Sequence, residues 1–290
     1  MAPPLPICYL NGAQLPIEEA RISPLDRGFL YSDGIYEVMS VYGGRPFRFE
    51  AHRERMTRSL AEIRMRDPHT HEEWREILGK LIEANGSGDQ YVYWQVTRGA
   101  ENGRNHAPLP DIPRTVFAFC APLPAAPGGL RENGVTCITT NDTRWARCDI
   151  KSVSLLANVL LRQLSIDANA TEAILLRDGD LMEASSSAVH VVIDGEIRTP
   201  PRTQRTLPGT TRSVMEEMAS RAGIPCRCLP VSESELRGAD EVWLSAATRE
   251  VQPVTVLDGR PVGSGKPGPL WRRVYEELQR YKRELSGTPW

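Results

Sequence analysis

The stretch Arg144-Trp-Ala-Arg-Cys-Asp-Ile-Lys-Ser-Val-Ser-Leu-Leu156 sets one ammonium group, that of Lys151, among Ile150, Val153, Leu155 and Leu156. A lysine taken alone is ordinarily a solvated surface charge. These apolar flanks instead point to a partly buried position at an element boundary. A buried lysine must be paired, neutral or used covalently. A Schiff base with an aldehyde is one such covalent use.

Downstream of this stretch, Leu155 to Ala168 reads as a helix, and Glu172–Leu176, Ala188–Ile193 and Glu241–Leu244 read as strands. A helix is expected from about Arg212 to Ala222, and a charged one from Leu270 to Leu285. Upstream, Ile35 to Tyr42 is β-branched and aromatic and stops at Gly43-Gly44, as a strand and turn do. Glu50 to Arg64 places Met56, Leu60 and Ile63 on one helical face, and Glu72 to Ala84 does the same with Trp74, Ile77, Leu78 and Leu81. Tyr91–Arg98, Arg114–Phe119 and Thr136–Thr140 alternate like strands. Ala121-Pro-Leu-Pro-Ala-Ala-Pro-Gly-Gly, with three prolines and two glycines, can continue neither a helix nor a central strand. The expected organisation is therefore a small domain over 1–120, a linker over 121–128 and a larger domain over 129–290. A long loop inside one domain is the other reading of the same residues. Elements mixed without strict βαβ alternation favour an α+β class.

Composition narrows the function. With 290 residues, 40% hydrophobic and 25% charged, the chain has material for one large core or two. A net charge of −2 gives no bulk pull toward nucleic acid or an anionic membrane. The N-terminus lacks a signal-peptide pattern, and no apolar run spans a bilayer, so a cytoplasmic protein is expected. Six scattered cysteines without a C-x-x-C pair read as reduced thiols. His69 and His71 have no second ligand pair near them in sequence, so no metal site is expected. Gly263-Ser-Gly-Lys-Pro-Gly268 has the dinucleotide spacing, but it follows a turn rather than a buried strand and Pro267 interrupts it.

Three further segments could carry chemistry. Glu183-Ala-Ser-Ser-Ser187 is ordinarily a polar turn after a surface acid; beside a pyridine ring, its carboxylate would keep the ring nitrogen protonated. Leu207-Pro-Gly-Thr-Thr-Arg212 opens an amphipathic helix. Thr210 and Thr211 there either cap the helix or, with its free N–H groups and dipole, bind an anion. Ser245-Ala-Ala-Thr248 and Arg55 could complete the same anion cup.

Taken in order, these segments resemble the class IV aminotransferases, the fold-type IV pyridoxal-phosphate enzymes, and most of all bacterial D-amino-acid aminotransferases. The resemblance also includes Asp26-Arg-Gly-Phe-Leu-Tyr-Ser-Asp-Gly-Ile-Tyr-Glu37, Tyr93-Trp-Gln-Val-Thr-Arg-Gly99 and the run from Ser245 to Pro253. It implies a two-domain fold, with a smaller N-terminal α/β domain and a larger C-terminal mixed β domain with flanking helices. The cofactor would lie between the domains of a homodimer. It implies a pyridoxal 5'-phosphate Schiff base on Lys151, which also moves the substrate proton. Glu183 would contact the ring nitrogen, and Leu207 would pack on the ring. Arg55, Thr210, Thr211 and Thr248 would hold the phosphate, with Ser186 and Ser187 as further cofactor contacts. Tyr36, Arg104 and His106 would grip the substrate carboxylate, since a phenol, a guanidinium and an imidazole together supply several donors. In the dimeric family the loop carrying Arg104 and His106 can reach the partner's site.

The expected reaction is transamination of D-amino acids with 2-oxoglutarate or pyruvate as acceptor. Branched-chain L-amino-acid transamination, (R)-amine transamination and aminodeoxychorismate lyase chemistry are alternatives on the same scaffold. Ala184 and Ala188 stand where the family commonly has Gly and Asn, and His190 where it frequently has an aromatic residue. Ala246 and Ala247 lower the hydroxyl count of the second phosphate segment.

Overall fold

The computed structural model describes residues 3–86, 88–124 and 129–285. They form two compact units. The first holds residues up to Pro124 together with Ile150–Leu155; the second holds the chain up to Asp149 and again from Leu156.

In the first unit the order is β1 (Ile7–Leu10), β2 (Ala13–Pro16), α1 (Arg27–Tyr31), β3 (Gly34–Tyr42), β4 (Arg45–Pro46), α2 (Phe49–Glu62), α3 (His71–Ala84), β5 (Gln90–Thr97) and β6 (Thr115–Pro122). Among the described residues these strands make a six-stranded sheet in the order β2-β1-β6-β5-β3-β4, antiparallel throughout. Alternation sends Ile35, Met39 and Val41 of β3 inward, where Met56 and Leu60 of α2 and Trp74, Leu78 and Leu81 of α3 join them in one core. A capping box fixes the start of α3: the Thr70 hydroxyl accepts from the Glu73 N–H while the Glu73 carboxylate accepts from the Thr70 N–H. Ala121 and Pro122, expected in a linker, close β6 instead, and residues 125–128 of that expected linker lie outside the described residues.

The second unit runs α4 (Leu130–Asn133), β7 (Val135–Asn141), α5 (Leu156–Asp167), β8 (Glu172–Arg177), β9 (Asp180–Ala184), β10 (Ala188–Ile193), β11 (Glu196–Thr199), α6 (Thr210–Arg221), β12 (Cys226–Cys228), α7 (Glu233–Arg237), β13 (Glu241–Ala246), β14 (Glu250–Leu257), β15 (Arg260–Pro261) and α8 (Pro269–Leu285). Its strands form one sheet in the order β12-β11-β10-β13-β14-β7-β8-β9, with β15 beside β14. Parallel pairs (β11/β12, β14/β7, β7/β8) mix with antiparallel ones. Val189, Val191, Val242 and Leu244 face a core shared with Ile174, Leu181 and Leu236. The fold is thus mixed α+β, as the order of elements implies.

Two differences from the sequence expectation matter. Glu183, which reads in sequence as an acid ahead of a polar turn, lies within β9. Lys151 belongs to no helix or strand, and its segment packs with the first unit.

Candidate active site

In the first unit, Lys151 is held through its backbone. Its carbonyl accepts from the Tyr36 N–H at 3.0 Å, its own N–H donates to Ser59 Oγ at 3.3 Å, and Val153 N–H donates to the Gly34 carbonyl at 3.1 Å. The segment thereby joins the start of β3 through an isolated Ile35–Ser152 bridge. The half-buried ammonium lies 4.2 Å from the centroid of the Tyr36 ring, which stacks on Tyr93 at 5.5 Å.

On the opposite side of β3, Glu37 is fully buried. Arg55 donates to its two oxygens at 2.8 and 2.6 Å, and His52 Nδ1 lies 2.8 Å from Oε2. Burial alone would push the Glu37 carboxyl up, but Arg55 and His52 outweigh it and hold the value at about 2.

A second network anchors the loop after β5. Arg27, 4% exposed, donates to Asp33 at 2.8 Å, to the Asn105 carbonyl at 2.6 Å and to the His106 carbonyl at 2.9 Å. Arg98 grips Asp33 at 2.8 and 3.0 Å, and these two guanidiniums hold Asp33 below its ordinary value against the effect of burial. The exposed Arg104 side chain lies 4.9 Å over the Tyr31 ring, and the exposed His106 packs on the same ring at 5.4 Å.

In the second unit, Glu183 is buried on β9. Arg144 donates to its Oε1, and the Leu207 N–H donates to Oε2 at 3.0 Å. Arg144 is itself clamped by Asp142 with contacts of 2.9 Å, and Asp142 pairs with Arg177 at 2.9 Å. Burial pushes the Glu183 carboxyl up, with Arg144 and the Leu207 N–H pulling the other way. A carboxylate has about four lone-pair sites. Those used by Arg144 and Leu207 leave room for one more donor of the kind a protonated pyridine nitrogen presents.

Gly209 caps α6 in an extended conformation without a side-chain cap bond, and the first intrahelical bond is Ser213 N–H to the Gly209 carbonyl at 3.2 Å. The first turn of α6 carries no acidic residue. With Thr210 and Thr211 beside these N–H groups, it has the donor set of an anion site. Thr248 stands half-buried in the tight turn between β13 and β14.

Residues 34–257 match the family described as Amino-transferase class IV. The chain belongs to the class IV aminotransferases. It is 39% identical over 274 residues to a D-alanine aminotransferase of Staphylococcus aureus, covering 94% of this chain and 96% of that protein. A D-alanine aminotransferase of Listeria monocytogenes is 39% identical over 275 residues, covering 93% and 95%. Among solved structures, a branched-chain amino acid aminotransferase of Escherichia coli superposes with a TM-score of 0.90 at 25% identity, covering 95% and 94% of the two chains. A second branched-chain amino acid aminotransferase, from T.th. and solved with pyridoxamine 5'-phosphate, gives 0.87 at 28% identity, covering 95% and 93%. The expected family and the fold-type IV architecture are therefore those of this protein, and it is an enzyme.

Several expected site residues of this aminotransferase have partners of their own. Arg55, expected at a phosphate, has its guanidinium on Glu37. Ser186 and Ser187, expected as cofactor contacts, donate their hydroxyls to Glu172 at 2.9 and 2.6 Å. Glu172 is fully buried and also accepts from the Ser186 N–H at 3.0 Å and from Arg249. Arg104 and His106 are brought together on Tyr31. Among the described residues neither is hydrogen-bonded to, or ring-packed with, Tyr36.

Sequence reasoning did not single out Arg27, Arg144 or Glu172. Arg27 and Arg144 lie inside motifs it quoted, and each is followed or preceded within six residues by the aspartate it grips, Asp33 or Asp142. Glu172 gave no such signal.

Proposed function

We propose that this enzyme transaminates D-amino acids, with 2-oxoglutarate or pyruvate as acceptor, using pyridoxal 5'-phosphate. The observation that carries the reading is the 39% identity, along 94% of the chain, to a D-alanine aminotransferase, against 25–28% for the branched-chain structures. Bound to the chain, the cofactor supplies an aldehyde that condenses with amines and a ring that accepts electrons.

The remaining work falls to the residues. Lys151 would hold the cofactor through its amine, and the same amine, when free, would carry the proton removed from the substrate α-carbon. Its backbone bonds to Tyr36 and Ser59 fix the point from which the side chain extends. Glu183, oriented by Arg144, accepts from the ring nitrogen and stabilises its protonated form. The Leu207 side chain packs on the ring. The N–H groups and hydroxyls of Thr210 and Thr211, with Thr248 and Arg55, would hold the phosphate, Arg55 while keeping its bonds to Glu37. Ser186 and Ser187 shape this site through Glu172. Tyr36, Arg104 and His106 bind the substrate carboxylate.

The reading includes a homodimer. In its support, α5 presents Leu156, Val159, Leu160 and Leu164 to solvent at 73, 60, 60 and 47% exposure, a helical stripe that asks for a cover. A second copy would also give the exposed Arg104 and His106 a site to enter. The expected location is the cytoplasm.

The test is a half-reaction with D- or L-alanine, following conversion of the bound cofactor to its amine form by absorbance. D-alanine should convert it and L-alanine should not. Lys151→Ala should lose the visible band of the lysine-bound cofactor; an unchanged spectrum sinks the assignment of Lys151.

A further inference from the structure

The register of β10 against β13 sets Ala188 opposite Ser245 and His190 opposite Trp243. These four side chains therefore share one face of the second sheet. The N-terminus of α6 lies on that face, because a Cβ built on Gly209 would come 4.0 Å from the Ala188 Cβ. Ser245 thus stands beside the residue directly under the α6 N-cap.

His190 is fully buried, Ser245 is 4% exposed, and His190 Nε2 lies 2.8 Å from Ser245 Oγ. The other ring nitrogen, Nδ1, is buried and has no partner among the described residues. Burial, reinforced by Arg212, pushes the imidazole down to about 3, so at neutral pH the ring carries a single N–H.

Two tautomers are then possible. With the proton on Nδ1, a buried N–H is orphaned and Ser245 must give its own proton to Nε2. With the proton on Nε2, the ring donates to Ser245 Oγ, and only an acceptor lone pair is left unmatched. The second arrangement costs less, since orphaned buried N–H groups are the rarer defect. It also leaves the Ser245 hydroxyl proton for another acceptor, and among the described residues no acceptor is bonded to it.

We propose that His190 is a positioning residue that, by donating from Nε2, turns Ser245 into an obligate donor to an anionic oxygen bound at the N-terminus of α6. This rests on the pyridoxal-phosphate reading above, in which that anion is the cofactor phosphate. It gives the departures at positions 190, 246 and 247 a common sense: the segment after β13 has alanines at 246 and 247, and Ser245, set by His190, returns one hydroxyl donor.

The experiment measures dissociation constants by dialysing holoenzyme to equilibrium against pyridoxal 5'-phosphate, with pyridoxal, which lacks the phosphate, as the control ligand. Far-UV circular dichroism checks folding. A hydrogen bond to a charged acceptor is worth about 1.5–3 kcal/mol, so Ser245→Ala should weaken phosphate-ligand binding roughly 10- to 100-fold and leave pyridoxal binding unchanged. His190→Phe should lose most of the same factor, and the double variant should bind no more weakly than Ser245→Ala. His190→Gln, whose amide N–H can stand where Nε2–H stood, should restore binding toward wild type; should His190→Phe not fold, His190→Gln and Ser245→Ala still decide the matter. Wild-type affinity in Ser245→Ala, or equal losses for both ligands, overturns the proposal while leaving the cofactor reading intact. A wild-type enzyme that binds no pyridoxal 5'-phosphate overturns both.

Discussion

Replacing Glu37 by glutamine tests the buried cluster behind β3 without reference to any ligand. In the folded protein the Glu37 carboxyl is held at about 2, against an ordinary value of 4.5. Because the folded value is the lower one, the unfolded chain binds more protons in this range, and stability rises with pH. The contribution is complete above pH 4.5 and is lost as pH falls toward 2. A depression of this size corresponds to about 3 kcal/mol at neutral pH, and the same linkage leaves only about 1 kcal/mol at pH 3. Glutamine keeps the shape but cannot ionise, so the stability gap between wild type and Glu37→Gln should shrink by about 2 kcal/mol from pH 6 to pH 3. Urea unfolding at a series of pH values, followed by tryptophan fluorescence, measures the gap; buried Trp94 lies 6.1 Å from the His52 ring and reports on this region. A gap that stays constant across that range, or widens as pH falls, would mean that Glu37 is not held ionised by Arg55 and His52.

Other outcomes follow from the same contacts. Glu172→Ala leaves Arg249 and the serine donors without their shared acceptor, so it should destabilise the second unit by about 1–3 kcal/mol, and adding Arg249→Ala should cost less than the sum of the single changes. Thermal melts of the three variants check this, and additive losses would deny the pairing. Arg104→Ala should raise KM for D-alanine about 10- to 100-fold while changing kcat little, because it removes substrate binding rather than proton transfer. Unchanged D-alanine kinetics would remove Arg104 from the site. Leu160→Asp puts a charge in the middle of the α5 stripe and should shift the protein toward monomer in sedimentation, without loss of helix content. An unaltered sedimentation profile would show that this stripe is not where two copies meet.

What could be read from the sequence alone follows how local each determinant is. Periodicity found α2 and α3 to within a residue or two at each end, because in each the apolar side chains repeat along one face; α5 was also placed within a residue, and β3 was legible from a β-branched and aromatic run that stops at Gly43-Gly44. Short elements of mixed polarity escaped: Asp180-Leu-Met-Glu-Ala184 holds two acids in five residues and looks like a turn, yet it pairs with β8 as β9. Lys151, Glu183 and the threonines of α6 stand out as candidates through residue type and through the resemblance that their order carries. Their supports were not. Arg144 meets Glu183 across 39 residues, Lys151 meets Ser59 across 92, and the serine run meets Glu172 across 13 to 15. Nothing in a linear window ties such pairs together; only the tertiary fold brings them within reach. The same reasoning bears on Arg104 and His106. The resemblance makes them carboxylate binders, while Arg27 fixes the carbonyls of Asn105 and His106, and both side chains lie exposed on Tyr31. In the proposed dimer, these exposed side chains would serve the substrate site of the second copy. The kinetic effect of Arg104→Ala and the assembly effect of Leu160→Asp should therefore be linked. A monomeric Leu160→Asp protein should show the raised KM of the arginine variant although its own Arg104 is intact, and a monomer with wild-type KM would mean that each copy completes its substrate site alone.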